Sequence, residues 1–475
     1  MPQTLLPASG SAPLLPIAVC LMVGIAVGSS LHLPFAPVWL LVVCLPLFVV
    51  ARRPLLQSII IYVCSTLLGM TLSEWQHEEP LEGKTLEAVV MSEPAERPKT
   101  MGMMLLVPSA GESVRCYLKK DHDSRSLKLG DAVVVRLSHK MGGVGKGQRQ
   151  AMYYVKSGDW QLGGTARKQM SRVEGSRLFF LKQRHRLLQR YQALEGSDDV
   201  YGILAAMTLG DKSSLTKETQ EIYNISGASH VLALSGLHLG IVYMLLTWLM
   251  LGRPHFMFSQ VVIVSALWAF ALLTGLSPSV TRSATMFSIY AIFAPRSRGR
   301  ASINVLAFAA IVMLIAEPRM LFEVGFQMSF SAVLAILLFM PLFEKLWQPR
   351  HRLTQWLWGT ISMTVAAQLG TMPIVIYYFG RFSTWFILTN LIVIPAASII
   401  ILMSLPAIVF PPLGKMLVWT VEALNHSLSA IASLPYSSID GIRISGIQVA
   451  LIYVLIVTLY LMARVLTPYI SKKMP

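Results

Sequence analysis

The chain has 475 residues, of which 54% are hydrophobic and only 13% charged, with a mean hydropathy of +0.58. That is too apolar for an ordinary globular domain and identifies a polytopic membrane protein. Its 40 Lys and Arg against 24 Asp and Glu give a formal charge of +16, which points either to an anionic partner or to the positive cytoplasmic loops of a membrane protein.

Three apolar runs open the chain, near residues 14–33, 36–51 and 55–72, each close to the ~20 residues that cross a bilayer. The first has no basic leader and is soon followed by another span, so it reads as a retained helix and not a cleaved signal. Cys20, Cys44, Cys64 and Cys116 show no CxxC or Cys/His spacing, so neither a disulfide framework nor a metal site is expected. From Ser73 to about Asp198 the hydropathy collapses. Alternating runs at Leu86–Met91, Met103–Pro108, Ser113–Leu118 and Ala132–Leu137 read as strands, with turn signals at Ser109-Ala110-Gly111 and Gly142-Gly143. The pattern fits a small antiparallel sandwich or barrel over residues 73–175, an oligonucleotide-binding (OB-like) barrel being one candidate.

The end of this region is basic. Lys140, Lys146, Arg149, Arg167 and Lys168 lead into Arg172, Arg177, Lys182, Arg184, Arg186 and Arg190, with few acids among them. Over residues 176–198, Leu178-Phe179-Phe180-Leu181 and Leu187-Leu188 give an amphipathic helix with two open readings, membrane lipid or nucleic acid.

Residues 199–475 form the second membrane block, with apolar runs near 229–251, 258–276, 282–294, 301–316, 322–344, 356–378, 384–410, 416–434 and 446–467, for about twelve spans in all. The run at 282–294 is short and that at 384–410 long, which marks broken, re-entrant or tilted segments. If spans alternate from a cytoplasmic N-terminus, the basic residues of short loops fall inside, at Arg52, Arg53, Arg253, Arg296, Arg298, Arg300, Lys345, Arg350, Arg352, Lys415, Lys472 and Lys473. Arg319, Arg381 and Arg443 fall outside, as does the β region. Both termini are then cytoplasmic.

Polar residues interrupt this block in clusters. Gly227–Gly240, GASHVLALSGLHLG, carries His230, Ser235, Gly236 and His238; around it stand Leu209-Gly210-Asp211-Lys212, Thr274-Gly275 with Arg282-Ser283, Gly325–Phe330 with Gln327, and Gln368–Pro373 followed by Asn390. Unpaired polar groups are expensive at membrane depth, so such clusters mark a transport path or a catalytic site. On a continuous helix His230 and His238 stand about 80° apart, too far to stack. Ser235 and His238 would need a backbone break to meet as nucleophile and base. Arg282, at the start of an apolar run, either snorkels or serves a polyanion. Gln327 and Gln368 suit hydrogen bonds between helices.

The run GDKSSLTKETQEIYNISGASHVLALSGLHLG resembles the signature of the ComEC competence proteins, the inner-membrane channels for DNA uptake in transformation. TGLSPSVTRS, GFQMSFSAV, AAQLGTMPI, FGRFS and Asn390 agree with it in order, over roughly residues 200–410. The helices of residues 1–72 and the OB-like region resemble the family's front end by architecture. The resemblance implies passage of single-stranded DNA, with a separate DNA receptor expected and homo-oligomerisation left open. Many members carry a metallo-β-lactamase-like domain with an HxHxDH cluster; this chain's ten histidines are scattered and none forms His-x-His. A separate nuclease is therefore expected, and with no GxxxxGK[ST] loop a separate cytoplasmic ATPase or other energy source. No cofactor and no enzymatic activity is expected of the chain itself.

Single-stranded DNA needs cations for phosphates and flat faces for bases. Asp211, His230, Ser235, Gly236, His238, Arg282, Gln327, Gln368 and Asn390 are the path candidates, Lys212 adds charge, and Tyr223, Phe326 and Phe330 are candidate stacking faces. A permease or exporter of another anionic solute is the alternative, and an intramembrane hydrolase using Ser235 the lesser one.

Overall fold

The computed structural model describes residues 12–31, 53–74, 83–96, 98–141, 152–156, 158–194, 196–250, 257–293 and 302–470. Two apolar helices come first, α1 (Leu14–Leu31) and α2 (Pro54–Glu74). Glycines bring them backbone to backbone: a Cβ on Gly24 would strike the Thr66 carbonyl oxygen, and one on Gly69 that of Leu21. In lipid, where burial of apolar surface drives no association, such close approach is what holds helices together. The run at 36–51 lies outside the described residues.

The strands follow as β1 (Thr85–Val90), β2 (Ala95–Glu96), β3 (Thr100–Val107), β4 (Glu112–Lys119), β5 (Ala132–Arg136), β6 (His139–Met141), β7 (Met152–Val155) and β8 (Trp160–Leu162), with a short helix α3 (His122–Ser126) between β4 and β5. All four predicted strands are present. β3 and β4 pair antiparallel from Thr100↔Lys119 to Val107↔Glu112, and Gly111 at φ +66 closes their turn. β4 and β7 run parallel. The alternation is read out as a core of Val90, Met103, Leu105, Cys116, Leu118, Val133, Val135, Tyr153 and Val155.

A closed barrel is not what the described strands form. The hydrogen-bonded order is β6-β7-β4-β3-β1-β5-β8, with β2 beside β3, so the path is open and ends at β6 and β8. The free edge of β5 is taken by β8, through Val133↔Leu162 and Val135↔Trp160. The chain then bends at Leu137 and Ser138, whose hydroxyl donates to the Tyr154 carbonyl at 3.2 Å, before running along β7 as β6. The predicted turn at Gly142-Gly143 lies outside the described residues.

A short helix α4 (Ala166–Gln169) leads to α5 (Arg172–Gln192). The first turn of α5 is a capping box: the Glu174 N–H donates to Ser171 Oγ at 3.3 Å and the Ser171 N–H to Glu174 Oε2 at 2.7 Å. Much of its apolar side packs on protein, while Phe179 stays exposed. Leu178 and Leu181 cover Val89, Met91, Leu106 and Ala166 of the sheet region, whereas Leu188 and Tyr191 enter the core of the helical block. Some of its basic residues serve protein as well. Arg177 Nη1 donates to Ser113 Oγ at 3.4 Å and burial lowers its pKa, the Glu174 carboxylate acting the other way; His185 contacts Glu93.

The block consists of α6 (Asp198–Leu209), α7 (Lys217–Ser226), α8 (Ser229–Leu232), α9 (Gly236–Leu249), α10 (Met257–Leu273), α11 (Pro278–Phe293), α12 (Ser302–Ala316), a 3-10 turn at Pro318–Phe322, α13 (Val324–Leu346), α14 (Arg352–Phe379), β9 (Arg381–Ser383), α15 (Phe386–Val409), α16 (Pro411–Ala432), β10 (Ser438–Asp440) and α17 (Gly446–Ile470). Five described helices are long and apolar enough to cross a membrane: Pro54–Ser73, Val324–Leu346, Arg352–Phe379, Phe386–Val409 and Gly446–Leu466. The remaining predicted spans differ in kind among the described residues. The run at 229–251 is split into α8 and α9, and α11 has 16 residues, short for a crossing. The long run at 384–410 is a single helix, α15, that carries Pro395 and Pro406 inside it. The centre of the block is the seam of α6 with α15 and α16, where Ile203, Leu204 and Met207 meet Val393, Ile400, Leu417, Val421 and Leu424.

α13 and α14 are held as closely as the first pair of helices. A Cβ on Gly370 would strike the Ser331 carbonyl oxygen and lie 2.8 Å from the Ala335 Cβ. Gly370→Ala is therefore expected to destabilise the chain by about 1–3 kcal/mol through overpacking, read as a lower thermal-unfolding midpoint in detergent; an unchanged midpoint contradicts this packing.

Candidate functional site

The glycines and polar residues of the sequence clusters collect around the interruption between α8 and α9. α7 ends at Gly227, in the left-handed conformation at φ +84, where a Cβ would lie 2.9 Å from both Cβ and Oγ of Ser383 on β9. The Ser226 carbonyl beside it accepts from the Thr389 hydroxyl of α15 at 2.7 Å. His230 Nδ1 meets the Gly227 carbonyl at 3.1 Å, so that nitrogen carries the proton. Residues 233–235 then leave the helix, and α9 restarts at Gly236 with Ser235 as its N-cap.

At this break Ser235 and His238 meet, as a continuous helix would forbid. His238 Nδ1 accepts the Ser235 backbone N–H at 3.3 Å and stands 3.1 Å from Ser235 Oγ. A ring nitrogen that accepts is unprotonated, so the neutral imidazole carries its proton on Nε2. That atom is buried and has no hydrogen-bond partner among the described residues. The contact does for the helix N-terminus what a capping box does. A Ser–His nucleophile pair also needs a third group orienting the base, and none hydrogen-bonds Nε2. His238 is fully buried, whereas Ser229, His230 and Gly236 keep exposed surface at the break.

Two further clusters close on the same place. Ser283 Oγ of α11 lies 3.2 Å from where a Gly236 Cβ would be, and Arg282 Nη2 2.7 Å from where a Gly325 Cβ would be. Arg282 is 3% exposed and its Nη1 stands 3.5 Å from Glu323 Oε2. The arginine therefore neither snorkels nor presents itself to a polyanion: it ties α11 to the start of α13. Glu323 carries no weight in the sequence reading. The available signal is a lone acid directly before an apolar run, the mirror of Arg282 at the start of another. From the third side Leu234, which precedes Ser235, packs on Gly210, the left-handed C-cap of α6 at φ +74; a Cβ there would be 2.6 Å from Leu234 Cδ1. Asp211 turns the chain after that cap, its Oδ1 accepting the Ser213 N–H at 3.0 Å.

The remaining candidates divide. Asn390 follows Thr389 on α15, which packs on α9, and its Oδ1 is buried without a hydrogen-bond partner. Gln327 does not join two helices: its Nε2 donates to the Leu321 carbonyl at 3.0 Å, within the 3-10 turn before its own helix. Gln368 is partly buried on α14, whose main packing partners are α13, α15 and α17. Lys212 is exposed in the loop after α6. The proposed stacking faces are core residues. Tyr223 is fully buried with its hydroxyl 3.0 Å from Asn425 Oδ1, and Phe326 and Phe330 pack ring to ring at 4.2 Å among Leu21, Ile25 and Leu306. In the sheet region Arg167 and Lys168 are exposed on α4, while Lys140 lies on β6 at the far end of the strand order. Lys146 and Arg149 lie outside the described residues.

Removing one partner of a buried ion pair leaves the other charge uncompensated, at a cost of about 3–5 kcal/mol. Arg282→Ala and Glu323→Ala are each expected to show a loss of that order in the folded yield or unfolding midpoint of the purified chain. Arg282→Met with Glu323→Leu should cost less than the sum. Additive losses contradict the pairing.

Residues 207–465 match the model of a family described as "Competence protein". The chain is similar to ComE operon protein 3 of Bacillus subtilis (strain 168), 29% identical over 245 residues, which are 51% of this chain and 30% of that protein. It is 24% identical over 246 residues to Recombination protein 2 of Haemophilus influenzae, covering 49% of this chain and 31% of that one. With Competence protein ComA of Neisseria gonorrhoeae it shares 29% identity over 153 residues, 30% of this chain and 22% of the other. The chain thus spans between 22% and 31% of the length of these three relatives. No solved structure matches it.

Proposed function

The chain belongs to the Competence protein family, and from that membership and the geometry of the break we propose that it acts in DNA uptake during transformation, as an inner-membrane channel that passes single-stranded DNA into the cytoplasm. The observation that carries this reading is the break itself. Inside a membrane block it leaves Ser229, His230 and Gly236 accessible at the start of a 14-residue helix. A helix N-terminus directs N–H groups and partial positive charge at an anion, and a phosphate backbone is a row of anions.

Two other features support it. The meander of β1, β3 and β4, the helix α3 before β5 and the parallel pairing of β4 with β7 support an OB-like reading of the β region with its sheet left open, and such a region suits single strands. Exposed Arg167 and Lys168 on α4 add charge beside it. The bias of Lys and Arg among the short loops supports a topology with both termini in the cytoplasm and the β region outside it. A DNA receptor, a nuclease for the other strand and a cytoplasmic ATPase are separate partners in this reading, and the chain is a conduit without chemistry of its own.

Deleting the gene is expected to abolish transformation while surface capture of DNA persists; unchanged transformation removes the proposal. In the full chain, His230→Glu puts a negative charge at the break and should lower uptake on the order of tenfold at normal membrane abundance. Uptake at the wild-type level in that variant would take His230 off the path. Loss of transport of a small anion, with transformation intact, would favour a permease instead.

A further inference from the structure

α5 is seated in two cores at once. Leu178 and Leu181 close over the sheet beside Val89, Met91 and Leu106, while Leu188 and Tyr191 are buried with Val200, Ile203 and Leu204 of α6. Arg184 lies between these two anchors. It is not a solvated surface arginine: its Nε is buried without a hydrogen-bond partner among the described residues. Burial holds its pKa below the ordinary value, with the nearby Asp211 carboxylate and the Tyr201 phenol acting in the other direction. Its Nη1 lies 3.6 Å from where a Cβ on Gly275 would be, and Leu181 Cδ2 3.5 Å from the same point.

Asp211 and Gly275 belong to the two connections that hold the break. Gly210 and Asp211 close α6, the Asp211 N–H returning to the Ala205 carbonyl at 3.0 Å. Gly275 at φ +82 and Leu276 at φ +56 close α10. Leucine enters the left-handed region only where surrounding structure enforces it. The first connection meets both the second and the residue that leads into α9: the Cβ position of Gly210 is 2.6 Å from Leu234 Cδ1 and 3.9 Å from the Thr274 carbonyl oxygen. Leu234 is buried and directly precedes the N-cap Ser235. A physical chain therefore runs from the sheet, through α5, to the start of α9.

We propose that Arg184 is the positioning residue through which α5 fixes the break between α8 and α9: its guanidinium, packed against the Gly275 turn and within electrostatic reach of the Asp211 connection, steadies the two connections, the first of which packs on Leu234. An arginine suits the place because its broad, permanently charged guanidinium can pack against the Gly275 turn while its charge acts on Asp211, where lysine offers one point charge. The consequence is coupling. Displacement of the β region is carried to the helix N-terminus at the break, whatever the cargo, so this inference stands apart from the transport of DNA.

Hydrogen exchange of the full chain in lipid nanodiscs, with no DNA present, tests it. Arg184→Ala should speed exchange on the order of tenfold in residues 211–216, 234–238 and 274–277, with β3, β4, α15 and α16 at wild-type protection. Arg184→Lys should restore 211–216 more than 274–277, because it keeps the charge for Asp211 and loses the broad contact with Gly275. Asp211→Asn should loosen 211–216 and 234–238. Wild-type exchange at 234–238 in Arg184→Ala overturns the proposal, as does an equal rise across the whole chain, which would mark a general loss of stability.

Discussion

A helix interrupted at membrane depth has to satisfy its own backbone polar groups, because lipid offers no partner for them. Around residues 226–238 that is done by side chains. Thr389 takes up the Ser226 carbonyl, His230 the Gly227 carbonyl and His238 the Ser235 N–H. The rest of the block is arranged so that these groups can reach. Gly210, Gly227 and Gly236 let Leu234, Ser383 and Ser283 come within contact distance of backbone, and the Arg282–Glu323 pair fastens α11 to the start of α13 alongside.

The same arrangement separates a fixed side from an open one. His238, Arg282, Tyr223 and Phe326 are buried and engaged in holding helices, whereas Ser229, His230 and Gly236 face accessible space. Motif residues therefore do two kinds of work. A buried ion pair is weak evidence for stability, but losing one partner is costly, and the pair here joins two helices bordering the break. The accessible face is small and polar and lies at a helix N-terminus.

Much of the architecture was legible because it depends on local pattern. Period-two alternation located β1, β3, β4 and β5, and glycine-rich polar clusters marked the places where helices bend or meet. What escaped was tertiary. An amphipathic stripe such as Leu178, Leu181 and Leu188 looks the same whether it covers lipid or protein, and only the sheet and α6 reveal that it covers protein. An aromatic such as Phe326 or Tyr223 has one sequence appearance for core and for stacking platform. Nothing in the local pattern shows that the helix breaks between Leu232 and Gly236, which is what lets Ser235 and His238 meet, or that the partner of Gln327 lies six residues back in the chain. The openness of the sheet turns on β8, three residues with little alternation of their own.

The central claim is that a DNA strand passes the break, and site-specific cross-linking during uptake tests it most directly. A photoreactive side chain placed at residue 229 or 230 in the full-length protein in cells should cross-link to labelled incoming DNA, while the same group at Tyr223 or Phe326 should not. Continued uptake with no cross-link at residues 229 and 230, or with equal cross-linking at Tyr223, would contradict the account.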